Sequence, residues 1–85
     1  MTHETMTART PAEVIRLARE FFLRRVPAAS AFVEAESAGH IVLRGQGGEE
    51  LVIAAVAVRG GSAVRGSTLL FDQQVLRFFT TLGAE

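Results

Sequence analysis

The sequence contains no cysteine, which excludes disulfides, thiolate metal sites and cysteine nucleophiles. Lysine is also missing, so all nine cations are arginine, beside 13 alanines. That pairing reads as a compositional bias rather than a basic patch. Tyrosine and tryptophan are absent, and the six aromatics are all phenylalanine, which leaves no preferred platform for stacking nucleic-acid bases. Long apolar runs are lacking too. The longest, Leu51 to Val58, has eight residues, against about 20 needed to cross a bilayer. Residues 1–10 contain His3, Glu4 and Arg9 and no apolar core, so they do not read as a secretion signal. The expectation is a cytoplasmic protein without a membrane segment.

There is no net charge: nine arginines balance nine acidic residues. A neutral chain has no global field to draw it onto nucleic acid or an acidic membrane. The charge is nevertheless uneven. Five arginines lie between Arg9 and Arg25 against Glu13 and Glu20, whereas four glutamates lie between Glu34 and Glu50 against Arg44. Such opposite surfaces can steer self-association as readily as a foreign partner.

Eighty-five residues suit one small domain, which buries roughly 60% of its unfolded surface. Residues 1–9 show no periodicity and read as a flexible tail, with Met6 as an alternative start; residues 10–85 read as a single α+β domain. Thr10-Pro11-Ala12-Glu13 opens a helix: threonine caps, proline sits where its missing N–H costs nothing, and glutamate completes a capping box. Val14, Leu17, Ala18, Phe21, Phe22 and Val26 form a broad apolar arc, Arg25 snorkels from its end, and Pro27 stops the helix.

Three strand-like segments follow: Ala31 to Ser37, Ile41 to Arg44 and Leu51 to Arg59, with turns at Ala38-Gly39 and Gly45 to Gly48. The links are too short for parallel crossovers, so an antiparallel meander is expected. Leu51 to Val58 is apolar at every position, as in a strand buried on both faces. Gly60-Gly61 is a candidate hairpin turn, leaving Ser62 to Arg65 as a short fourth strand interrupted by Gly66-Ser67-Thr68. Phe71, Val75, Phe78, Phe79 and Leu82 mark a closing helix ended by Gly83; Ser67 or Thr68 offers an early cap at its start, whereas Asp72 as the cap keeps its carboxylate from falling between Phe79 and Leu76. The predicted fold is an N-terminal helix, a three-strand meander with room for a fourth strand, and a C-terminal helix, both helices on one sheet face.

No motif specifies catalysis. Gly61 to Thr68 resembles a phosphate loop in its two glycines and final hydroxyl, but Ser67 stands where the lysine that reaches the phosphates belongs. His3 and His40 have no second ligand at metal spacing. Ser37 and His40 share a turn without a third group, and Glu34 and Glu36 read as solvated carboxylates. No cofactor is implied.

The leading expectation is a non-enzymatic interaction domain that associates with itself. Its candidate contact residues are Leu51, Val52, Ile53, Val56 and Val58 on the apolar segment, with Leu69 and Leu76 outside the helix stripe. The alternative is a small-ligand or anion site formed by Arg59, Arg65, Gly66 and Ser67 at the turn before the last helix.

Overall fold

The chain begins with a strand rather than a helix. A computed structural model describes residues 1–24, 32–45 and 47–83, in the order β1 (Thr2–Thr7), α1 (Pro11–Arg24), β2 (Phe32–Glu36), β3 (His40–Arg44), β4 (Glu50–Val58), β5 (Gly61–Thr68) and α2 (Asp72–Thr81). The strands form one antiparallel sheet of five, in the order β1-β5-β4-β3-β2. The expected three-strand meander is therefore corrected twice. The supposed tail supplies an edge strand, and the short fourth strand becomes an eight-residue strand between β1 and β4.

The reason lies in the hairpin and in what β1 offers β5. Arg59 and Gly60, with Gly60 at φ +84°, make the two-residue loop, so Gly61 pairs with Val58 one residue earlier than the sequence suggests. Gly61 also lies where an added Cβ would meet the Thr7 carbonyl, so the β1 end crosses closely above it. Gly66 does not break the strand. It faces Val75, and an added Cβ would sit 2.6 Å from the Val75 Cγ1. The glycine lets α2 approach the sheet.

Both helices lie on one face. The box opening α1 is reciprocal: the Thr10 N–H donates to Glu13 Oε1 at 3.1 Å, and the Glu13 N–H donates to Thr10 Oγ1 at 3.2 Å. The Thr10 N–H bond is the largest of the influences that hold the Glu13 carboxyl below its usual value. The expected stop at Pro27, Arg25, Val26, and the start of the second segment at Ala31 lie outside the described residues. The start of α2 differs by one position: Phe71 is the cap residue, its N–H donates to Thr68 Oγ1, and Asp72 is the first helical residue. Gly83, at φ +68°, ends the helix, its N–H donating to the Thr80 carbonyl.

Between the helices and the sheet sits the core. Phe21 and Phe22 pack edge to face, and both lie 5.5 Å from Phe78 between ring centres. Ile41, Leu43, Leu51, Ile53, Ala55 and Val64 supply its floor. β4 alternates in this setting, so the expectation of burial on both faces does not hold. Leu51, Ile53 and Ala55 are buried, whereas Val56 and Val58 are exposed.

Candidate functional site

The sheet face away from the helices has no covering layer among the described residues. Strand alternation places every second side chain there. Thr2, Glu4 and Met6 come from β1, and Ala63, Arg65 and Ser67 from β5. Val52, Ala54, Val56 and Val58 come from β4, and His40, Val42 and Arg44 from β3. The register arranges them in rows across the sheet. One row runs Thr2, Ser67, Val52, Val42, Ala35; the next runs Glu4, Arg65, Ala54, His40; a third runs Met6, Ala63, Val56. Val56 is 64% exposed and Met6 57%. A shallow groove of about 520 Å³ lies on this face, bordered by Glu4, Met6, Ala54, Val56, Ala63 and Arg65.

Charge on this face is paired internally. Arg65 donates to Glu4 Oε2 through Nε at 3.0 Å and Nη2 at 2.7 Å. Arg44 reaches Glu34 and, at 3.3 Å, Glu50. The hydrogen bond to Glu34 is the largest of the influences that raise the Arg44 guanidinium above its ordinary value, so it remains charged. The Glu34 carboxylate comes from a bulge between Val33 and Ala35, which puts an extra residue into the edge strand.

The residues suggested as an anion site are spread apart. Arg59 is at the exposed β4–β5 loop, whereas Arg65 lies four residues into β5, about 13 Å along the strand. Gly66 points inward beneath Val75, and Ser67 points outward, its Oγ 3.3 Å from Thr2 Oγ1. Gly66 and Ser67 belong to a strand, not to a turn before the helix.

The candidate contact residues divide by parity. Leu51 and Ile53 are held in the core, 2% and 0% exposed, because their positions face the helices. Val52, Val56 and Val58 lie on the uncovered face. Leu69 is exposed in the link between β5 and α2, and Leu76 is 48% exposed on α2. Met6 belongs with them, although sequence reasoning left it in the tail. The β-branched Thr2, Thr5 and Thr7 around it were the available strand signal.

Among the described residues no Ser–His–carboxylate arrangement is assembled. Ser37 Oγ and His40 Nδ1 are 2.9 Å apart on an exposed turn, and among the described residues no carboxylate bonds the other ring nitrogen. Among those residues there is also no cluster of three His, Asp or Glu side chains able to hold a metal ion. Among the described residues no helix is long and apolar enough to cross a membrane. No protein-family model, no curated protein and no solved structure matches the chain.

Proposed function

We propose that this protein is a homotypic interaction domain whose contact is the uncovered sheet face. The observation that carries the reading is the apolar surface of Met6, Val52, Val56 and Val58 left outside a core that two helices already complete. A second copy of the chain is the occupant that the charges favour. Glu4 answers Arg65, and Glu34 and Glu50 answer Arg44, within the face itself. A polyanion would need cations without partners, whereas a second neutral copy meets no net repulsion.

Size sets the strength. Five strands at about 4.8 Å spacing span about 20 Å, and the shared strand length is similar, giving a flat footprint of about 400 Å². Stable interfaces bury about 800 Å² per partner, so this face alone supports weak, transient association. The anion reading would have to take Arg65 from Glu4, and no observation favours it.

Sedimentation velocity over a concentration series tests the reading. Wild-type protein is expected to gain mass reversibly with concentration. Val56→Glu, which places a carboxylate in the middle of the face, should weaken association by about tenfold or more, as a desolvated unpaired charge requires. A wild-type chain that stays monomeric to millimolar concentration would sink the proposal.

A further inference from the structure

The two edges of the sheet are built differently. At β2 the bulge between Val33 and Ala35 breaks the ladder, and Glu34 and Glu36 are engaged by Arg44 and Arg19. Bulges and charges of this kind keep an edge from pairing with another chain. β1 has no bulge. Its register with β5 is unbroken over six residues, and its single charged side chain, Glu4, is bonded to Arg65.

Hydrogen-bond parity shows what this edge presents. Met1 and Thr68 exchange backbone bonds, the Thr68 N–H donating to the Met1 carbonyl and the Met1 amine to the Thr68 carbonyl. In an antiparallel ladder bonded and non-bonded pairs alternate, so His3, Thr5 and Thr7 are bonded to β5. The N–H and C=O groups of Thr2, Glu4 and Met6 therefore point away from the sheet.

α2 adds an independent observation. Asp72 Oδ1 lies 2.7 Å from His3 Nε2, Thr7 Oγ1 donates to the Leu82 carbonyl, and Val75 packs on Gly66 of β5, so the helix runs above the β1–β5 pair in the direction of β1. Phe78 faces α1 through Phe21 and Phe22. Leu76 is about 200° around the helix from Phe78 and shares a stripe with Asp72, on the β1 side. It is four residues, about 6 Å, beyond Asp72, and Thr5 is about 7 Å beyond His3. The half-exposed Leu76 therefore stands beside the free edge, level with Thr5.

We propose that β1 pairs antiparallel with β1 of a second copy about a two-fold axis at Thr5, joining two sheets into one of ten strands. This register bonds Glu4 to Met6 of the other copy in both directions and avoids setting Glu4 against its own counterpart. It also separates the two α2 axes by about two strand spacings, about 10 Å, which is a normal helix packing distance. Leu76 then meets Leu76 across the axis. The surface differs from the uncovered face, so either contact can fail while the other holds.

Residue-resolved amide exchange on the full chain, at micromolar and millimolar concentration, tests the pairing. The His3 and Thr5 amides are expected to be protected at both concentrations. The Glu4 and Met6 amides should exchange at least about tenfold more slowly in the concentrated sample, because only a partner strand can bond them. Leu76→Glu should abolish that difference while the His3 and Thr5 protection, a measure of folding, persists. Val56→Glu should leave it intact. Exchange at Glu4 and Met6 that ignores concentration, or a β1 unprotected throughout, would overturn the proposal.

Discussion

The two faces of the sheet are made from the same strands and meet different fates. On β4, Leu51 and Ile53 are sealed from water while Val56, of comparable apolarity, is 64% exposed. Composition does not separate them; helix coverage does. α1 and α2 are each about 10 Å across, so side by side they cover about 20 Å, the width of five strands. Two helices on a five-strand sheet close one face and leave none for the other. An apolar strand in such a fold is buried on one side by its own chain and remains available on the other.

The comparison breaks most visibly at Phe78. It is fully buried against Phe21 and Phe22, and Phe78→Ala is expected to cost about 3–5 kcal/mol. In a small domain that is a large share of total stability, so the variant should be extensively unfolded at room temperature. Val56→Ala, under dilute conditions that hold the chain monomeric, should stay within about 0.5 kcal/mol of wild type. Urea unfolding of both variants measures the contrast. Comparable losses would mean that the outer face is covered after all.

A smaller effect sharpens the same contrast within β5. Gly66→Ala places a methyl group against Val75 and Ile53, and overpacking of this kind costs about 1–3 kcal/mol. Ala63→Val adds more volume to the opposite face of the same strand, beside Met6 and Val56. It should change stability by less than about 0.5 kcal/mol. A Gly66→Ala protein as stable as wild type would show that α2 can lift from the sheet at no cost.

What the sequence made legible follows the same division. Both helices were readable because their apolar stripes and the Thr10–Glu13 box are local signals. β1 was not, because its inward positions are His3, Thr5 and Thr7, which are held by polar contacts such as Thr7 to the Leu82 carbonyl. Hydrophobic alternation has nothing to register in such a strand. β5 was read short because its inward residues Ser62 and Gly66 are small, and small polar residues suggest a loop. They are small because α2 and the chain after β1 press close: Ser62 Oγ donates to the Arg9 carbonyl at 2.7 Å, and Gly66 meets Val75. The contact residues were half legible. An unbroken apolar run names Leu51, Val52, Ile53 and Val56 together, and only the register, fixed by partners distant in sequence, tells which of them reach solvent.

The smallest expected effect lies at the entrance to α1, on neither face, and it calibrates the others. Glu13 is held below its ordinary value of 4.5, first by the Thr10 N–H, against an opposing desolvation penalty, with further lowering from the Thr10 hydroxyl, Arg9 and Arg16. A carboxyl whose folded value lies below its unfolded one contributes stability above the unfolded value and loses it as pH falls through the folded value. The loss therefore begins near pH 4.5 and is complete only below the depressed value. Glu13→Gln keeps an oxygen that accepts the Thr10 N–H but cannot titrate. Thermal melts of both proteins at pH 6 and in the acid range isolate the difference, since every other titrating group is common to the two. The wild type should lose slightly more stability than the variant on acidification, by an amount well below the Gly66 effect. Equal losses would mean that the box is not formed in solution, and that α1 is held over the sheet by its apolar arc alone.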